Sequence, residues 1–146
     1  MCQFAHSITT KAKAETIWEL YRDITSWTTW DEGIEYVTLD GPFAAGTLGV
    51  LQAKGQDKMS FQLTEVEPLH GFSDVTDIPA AGIAVLFTHR LQKTLDGTRI
   101  THAVTVTGSN AEKFGPQFIT EVSQGIPRTM ERLAALALEQ DKKPLS

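Results

Sequence analysis

Four histidines, His6, His70, His89 and His102, are the side chains of this sequence best suited to proton transfer near neutral pH. Three of them, His6, His89 and His102, alternate with apolar residues in segments typical of strands. A neutral imidazole on such a face can bind a carbonyl or hydroxyl group, or exchange a proton with an activated carbon. His89 and His102 are therefore the candidate catalytic residues, with hydrogen-bonded core histidines as the structural alternative.

Metal and nucleotide chemistry are not favoured by the spacing of the remaining candidates. The sequence has no His-x-His or His-Glu-x-x-His pattern, and its single cysteine, Cys2, excludes a Cys-rich zinc site. The glycines between residues 41 and 49 form no phosphate-binding loop, and no Gly-x-Ser-x-Gly nucleophile elbow occurs. We therefore expect no metal site and no cofactor.

Composition places the chain among ordinary globular proteins. Its 146 residues are 41% hydrophobic and 21% charged, so we expect a single domain over residues 1–146, with a polar tail from about residue 140. With 13 basic and 18 acidic residues the net charge is −5, and no basic cluster favours a nucleic-acid partner. No apolar run approaches the roughly 18 residues of a membrane span, and the first residues do not resemble a signal peptide. These features predict a cytoplasmic protein without an integral membrane segment, either a monomer or a homodimer.

The periodicity of apolar residues predicts the elements that carry these side chains. Residues 3–9 alternate as in a half-buried strand, and residues 11–23 follow with a helical apolar stripe. A second short helix is predicted over residues 24–33, which include Trp27 and Trp30. The last segment, residues 110–140, reads as one long helix with Pro116 in its first turn and a kink at Pro127.

Between these helical segments, residues 34–107 read as about six short antiparallel strands, which makes an α+β protein. Asp96-Gly97 is a strong hairpin motif, and a two-residue turn there pairs His89 with Val104 and His102 with Leu91. Both histidines then lie on the apolar face as diagonal neighbours. Asp74, on a preceding strand, is expected at a sheet edge or in solvent. On the inward face it would instead be a buried carboxylate, either paired or with a raised pKa, that could do acid–base work with a histidine.

Several structural motifs resemble the START/polyketide-cyclase-like superfamily, also called SRPBCC, and most of all its bacterial polyketide cyclase/dehydrase and lipid-transport group. They cover nearly the whole chain: Ala14-Glu15-Thr16-Ile17-Trp18, Asp23, the Trp27 and Trp30 pair, Val66-Glu67-Pro68, Asp96-Gly97-Thr98-Arg99-Ile100 and Phe114-Gly115-Pro116. The resemblance implies a helix-grip fold, in which a curved antiparallel sheet of about seven strands wraps around a long C-terminal helix, with two short helices after the first strand. It also implies a large apolar cavity between the sheet and that helix.

Inward-facing side chains of such a fold would line the cavity and contact a small hydrophobic ligand. The predicted ligand-binding residues are Trp30, Tyr36, Met59, Phe61, Phe87, His89, His102, Phe118 and Val122. Trp27 is assigned to the core and Tyr21 to a structural role. The expected function is binding of a lipid, an isoprenoid or an aromatic polyketide-like compound. The alternatives are a cyclase or dehydratase with a cavity histidine as acid and base, and a protein-interaction module like the co-chaperone branch of the superfamily.

Overall fold

Seven strands and four helices make up residues 2–143, the part of the chain that the structure, a computed structural model, describes. The strands are β1 (Cys2–Thr10), β2 (Ile34–Leu39), β3 (Leu48–Ala53), β4 (Lys58–Glu67), β5 (Gly71–Ile78), β6 (Ile83–Lys93) and β7 (Thr98–Thr107). The helices are α1 (Ala14–Arg22), α2 (Trp27–Trp30), α3 (Ala111–Ser123) and α4 (Ile126–Asp141), with 3₁₀ turns at Ile24–Ser26 and Pro79–Ala81.

All seven strands form one antiparallel sheet in the order β1-β7-β6-β5-β4-β3-β2. The first strand therefore pairs with the last, and β5 lies at the centre. Both C-terminal helices contact β1 and β7, and α1 contacts α4, so the helices cover one face of the sheet. This is the predicted helix-grip arrangement, and we call the helix-covered side the concave face.

The predicted apolar stripe of α1 is buried against this assembly. Ile17 and Tyr21 are completely inaccessible, and Ala14 and Trp18 are nearly so. The helix ends at Arg22, because the Asp23 carboxylate accepts the backbone N–H of Thr25 and starts the following 3₁₀ turn.

A break at Gln124 and Gly125 divides the long C-terminal helix into α3 and α4, which gives it the predicted bend. Pro127 is the second residue of α4, where its missing N–H removes no helical hydrogen bond. The placement of Pro116 in a first turn was wrong, since α3 already begins at Ala111. The side chain of Asn110 donates to the carbonyl of Ala81, and this contact turns the chain into the helix directly after β7.

The turn between β6 and β7 differs from the predicted two-residue hairpin. Lys93 pairs with Thr98, so four residues form the loop, and neither Asp96 nor Gly97 has the positive φ of a type I′ turn. A Cβ atom at Gly97 would lie 2.0 Å from the carbonyl oxygen of Thr10, so this glycine is required by close approach to the end of β1. The register consequently shifts by two residues, which keeps every side chain on its predicted face but changes its cross-strand partner.

The core on the concave face consists of two clusters of buried apolar side chains. The larger surrounds α1, α2 and α4, with Ile17, Phe72 and Leu133 fully buried in it. The smaller lies under α3 and contains Val104 and Val106. Ile126, at the start of α4, packs against both clusters, so the two meet at the helix break.

The C-terminal helix ends close to the predicted start of the polar tail. Helix α4 continues to Asp141, one residue beyond the predicted start of the polar tail, and residues 144–146 of that tail lie outside the described residues. Within residues 2–143, none of the helices has the length and hydropathy needed to cross a membrane.

Candidate functional site

A cavity of about 720 Å³ lies between the concave face and the break of the C-terminal helix. Strands β3 to β7 form its floor, α2 and the following loop form one side, and the α3–α4 break forms the other. Its lining consists of Trp27, Trp30, Asp31, Glu32, Gly33, Ile34, Leu51, Ala53, Phe61, Phe72, Asp74, Thr76, Phe87, His89, His102, Ala103, Glu121, Val122, Gln124, Gly125, Ile126, Arg128, Thr129 and Arg132. The space lies where the two core clusters would otherwise pack against each other.

Three rings of the cavity lining stack face to face. The ring of Phe72 lies parallel to His89, with centroids 4.0 Å apart and planes 9° apart. Trp27 stacks on Phe72 at 5.6 Å and 25°. The indole N–H of Trp27 donates to the carbonyl of Tyr21, which locks the outer ring in place.

The two-residue register shift brings His89 opposite His102. With His6 on β1, the three histidines form a single line across the sheet. His6 is opposite His102, and His102 is opposite His89, whose other neighbour is Phe72. We call these four residues the histidine row. The rings of His89 and His102 are 4.6 Å apart and nearly perpendicular, which is much closer than the predicted diagonal arrangement allows.

His102 is held by a hydrogen bond within the core. Its Nε2 lies 2.8 Å from the hydroxyl oxygen of Tyr21, and both residues are almost completely inaccessible. Burial holds the pKa of His102 well below its ordinary value, and the neighbouring His89 and His6 lower it further. Burial likewise raises the pKa of Tyr21 well above its ordinary value. Both groups are therefore neutral at physiological pH and bonded to each other.

His89 has one nitrogen bonded to the protein and one free. Its Nδ1 lies 3.3 Å from the backbone carbonyl oxygen of Phe72. Because a carbonyl only accepts hydrogen bonds, Nδ1 carries the proton and Nε2 presents a lone pair. Burial lowers the pKa of His89 to about 4, with a smaller contribution from the charge of Arg90, so the ring is neutral near pH 7.

Asp74 is the most unusual group in the cavity, and its expected place at an edge or in solvent was wrong. It lies on the central strand β5, faces the cavity, and is only 8% exposed. No residue between 2 and 143 donates a hydrogen bond to its carboxylate, and no fully enclosed polar side-chain atom of that stretch lacks a partner. The carboxylate oxygens are therefore open to the cavity space. Burial raises the pKa of Asp74 to about 7.

Charged residues surround the mouth of the cavity. Arg132 donates to a carboxylate oxygen of Glu32 at 2.8 Å and to the carbonyl oxygen of Thr29 at 2.7 Å. Arg128 lies 3.4 Å from the other carboxylate oxygen of Glu32. These contacts tie the loop after α2 to helix α4. Burial raises the pKa of Asp31 beside them, although the backbone N–H of Gly33 opposes that shift.

Six of the nine predicted ligand-binding residues line this cavity: Trp30, Phe61, Phe87, His89, His102 and Val122. Three lie outside its lining. Tyr36 pairs with Gln52 on the opposite face of the sheet, where it is 40% exposed and lies under the ammonium group of Lys58. Met59 is opposite Leu51 and thus on the concave face, but towards the end of its strand. Phe118 packs in the smaller core cluster.

The lining also contains residues that the sequence patterns did not single out. Trp27 lines the cavity although it was assigned to the core. Arg128 and Arg132 are four residues apart on α4 and therefore share one helix face. This spacing can be recognised in the sequence. No comparable spacing identifies Glu32 in the sequence, because it lies in a loop. Within residues 2–143, no three His, Cys, Asp or Glu side chains are grouped closely enough to hold a metal ion.

Solved structures with the same architecture include protein MLL2253 from Mesorhizobium loti. It superposes with a TM-score of 0.76 over 99% of this chain and 100% of that one, at 17% sequence identity. The di-domain ARO/CYC StfQ from the steffimycin biosynthetic pathway gives a TM-score of 0.80 at 8% identity, over 97% of this chain and 52% of that one. Norcoclaurine synthase from Thalictrum flavum gives 0.71 at 14% identity, over 94% and 87% of the two chains. At these identities the similarity establishes the fold.

Sequence comparison establishes the family. No curated protein matches the chain significantly. Residues 1–138 match the family described as polyketide cyclase/dehydrase and lipid transport, which is nearly the full length. Together with the seven-stranded sheet and the bent C-terminal helix, this match confirms the predicted resemblance: the chain belongs to the polyketide cyclase/dehydrase and lipid-transport family.

Proposed function

We propose that this chain is a single ligand-binding domain that takes up one small, largely apolar molecule in the cavity between its sheet and C-terminal helix. The observation that carries the proposal is the 720 Å³ space, lined mainly by aromatic and aliphatic side chains. Binding sites for small molecules commonly have about 300–1,000 Å³ and the same mixture of apolar walls with a few polar groups.

The position of the cavity within the core supports this function. Protein interiors close large voids, because each unfilled volume forfeits packing energy. Here side chains of both core clusters, such as Phe61 from the larger and Phe87 from the smaller, border a space that they leave open. A ligand in that space would complete the core.

The aromatic side chains of the lining favour a ring system over a straight acyl chain. Trp30, Phe61 and Phe87 border the cavity, and aromatic side chains pair favourably with the rings of a ligand. Among the expected ligands we therefore favour an isoprenoid or aromatic polyketide-like compound. A cytoplasmic location remains a prediction from the sequence.

Ligand uptake can be tested by filling the cavity with a larger side chain. Ala53 lines it, whereas its neighbour Gln52 lies on the opposite face of the same strand. We expect Ala53→Trp to weaken binding of the neutral dye Nile red by about tenfold or more, and Gln52→Trp to change it by less than about threefold. Native mass spectrometry of the freshly purified protein, before and after denaturation, identifies any retained compound. Absence of dye binding, or equal loss in both variants, would contradict the proposal.

A second candidate function, acid–base catalysis as in a cyclase or dehydratase, is favoured by Asp74. A carboxyl group with a pKa of about 7 both donates and accepts protons near neutral pH, which a general catalyst requires. His89 offers a lone pair in the same cavity, whereas the Nε2 of His102 is engaged by Tyr21. Asp74 is therefore a stronger candidate for proton transfer than either predicted histidine.

Proton transfer can be tested with phenylacetone in deuterated water. Asp74 would remove an α proton from the ketone to leave an enolate, and its carboxyl, after exchange with solvent, would return a deuteron to the carbon. We expect Asp74→Asn to slow this exchange by about 100-fold, His89→Gln to slow it less, and Asp77→Asn to leave it unchanged. Exchange in the wild-type protein no faster than in buffer would exclude this function.

A further inference from the structure

The carboxylate of Asp74 is a buried hydrogen-bond acceptor without a donor among residues 2–143. It lies opposite Phe87 on β6 and Leu63 on β4, so its immediate neighbours across the sheet are apolar. Folding has already removed most of its hydration, since the side chain is 8% exposed. A ligand that brings a donor to this position therefore gains a strong interaction without having to strip water from an exposed carboxylate.

The other free polar atoms inside the cavity also favour a donor. The lone pair at Nε2 of His89 accepts hydrogen bonds only, and the hydroxyl of Thr76 can either donate or accept. When Asp74 is ionised, the cavity floor thus presents two groups that only accept hydrogen bonds, while its guanidinium groups, Arg128 and Arg132, are at the mouth and bound to Glu32.

Charge and aromatic surface indicate that this donor is a cation. Four carboxyl groups line the cavity against two guanidinium groups: Asp31, Glu32, Asp74 and Glu121 against Arg128 and Arg132. The ring of Phe87, directly opposite Asp74, lines the cavity and takes part in none of the aromatic pairs found in the described part of the chain. Phe87 packs against the smaller core cluster but is only partly buried, and an aromatic ring beside a carboxylate is a favourable environment for an ammonium group.

We propose that the ligand of this cavity carries a protonated amine on its apolar ring system, and that the amine donates to Asp74 and lies against the ring of Phe87. The proposal rests on the ligand-binding function proposed above and names the chemical class of the ligand. It excludes free carboxylic acids and phosphates as preferred ligands, because their anionic groups would be repelled by Asp74. Above its pKa of about 7, Asp74 is mostly ionised and can pair with an ammonium group.

Three compounds with one naphthalene body and different head groups test the proposal. Naphthylmethylamine, naphthylmethanol and naphthoic acid carry an ammonium, a hydroxyl and a carboxylate group, respectively. In Nile red displacement near pH 8, we expect the wild-type protein to bind the amine about tenfold or more tightly than the alcohol, and the acid most weakly. This series requires no variant, so it remains valid whatever a substitution does to folding.

Two matched variants assign the preference to Asp74. Asp74→Asn should reduce the affinity for the amine to that for the alcohol, while the affinity for the alcohol changes by less than about threefold. Asp77→Asn changes an exposed aspartate on the same strand, facing the opposite way, and should preserve the preference. An amine that binds no better than the alcohol, or a preference that survives Asp74→Asn, overturns this proposal and leaves the proposed function intact. Failure of Nile red itself to bind would instead overturn the proposed function.

Discussion

Two neighbouring rows of side chains cross the concave face, and they differ in the hydrogen bonding of their buried polar groups. In the histidine row, His102 is bonded to Tyr21 and His89 to the carbonyl of Phe72. The adjacent row, which we call the aspartate row, consists of Phe4, Val104, Phe87, Asp74 and Leu63. Its carboxylate has no donor anywhere in residues 2–143.

This difference separates structural polar groups from groups available to a ligand. A buried polar group with a partner stabilises one arrangement of the core, and removing the partner leaves it unsatisfied. A buried group without a partner destabilises the empty protein and gains from a suitable ligand. The Tyr21–His102 pair of the histidine row is therefore expected to contribute mainly to stability, and Asp74 of the aspartate row mainly to ligand recognition.

The largest expected effect comes from truncating an aromatic ring in each row. Phe72→Ala should lower the free energy of unfolding by about 3–5 kcal/mol, because this fully buried ring packs between Trp27 and His89. Phe87→Ala should lower it by no more than about half as much, since part of that ring already faces the cavity. Urea denaturation followed by circular dichroism measures both values. Equal losses would show that the two rows do not differ in packing.

A smaller effect, of opposite sign and dependent on pH, is expected for Asp74→Asn. The pKa of Asp74 is about 7 in the folded protein and 3.8 in its unperturbed state, so between these values the folded state holds a proton that the unfolded state has released. Wild-type stability therefore falls as pH rises from about 4 to 7, by roughly 4 kcal/mol at most. Because asparagine does not ionise, the Asp74→Asn variant should lack this pH-dependent loss of stability.

Urea denaturation at several pH values tests this prediction. The stability of Asp74→Asn relative to wild type should increase between about pH 4 and 7 and stay constant above that range. The other titratable or charged groups lining the cavity occur in both proteins and largely cancel in the difference: Asp31, Glu32, His89, His102, Glu121, Arg128 and Arg132. A difference independent of pH would contradict the buried, unpartnered state of the carboxyl.

The smallest of the three effects is expected for Tyr21→Phe, which removes one hydroxyl from the histidine row. The buried Nε2 of His102 then loses its partner, and stability should fall by about 1–3 kcal/mol. Binding of Nile red should change by less than about threefold, because the hydroxyl points to His102 and Tyr21 does not line the cavity. A large change in affinity with unchanged stability would reverse the roles assigned to the two rows.

Much of the architecture could be predicted because it follows from local periodicity. The stripe of α1, the alternation along β6 and β7, and the inward faces of His89 and His102 depend only on spacings of 3.6 and 2 residues. The hairpin register could not be read in this way. It depends on contact between Gly97 and Thr10 at the end of β1, which lies 87 residues earlier in the chain.

The candidate site could likewise be predicted only in part. Aromatic residues on inward faces, such as Phe61 and Phe87, were identified by alternation. Asp74 was not, because its neighbours Phe72 and Thr76 are consistent with either face, and an aspartate favours solvent unless a function retains it inside. The ion pairs of Glu32 with α4 join segments about 100 residues apart, and no local pattern indicates them.

The pairing of β1 with β7 has a consequence for how the protein forms. Cys2 lies opposite Val106, so the first strand has no partner until more than two thirds of the chain has left the ribosome. Such long-range pairing slows folding, because a large loop must close before its contacts contribute. Strands β2 to β7 can assemble as successive hairpins, whereas β1 and α1, which carries Tyr21, must join later. The histidine row is thus completed near the end of folding, by the two strands that lie farthest apart in the sequence.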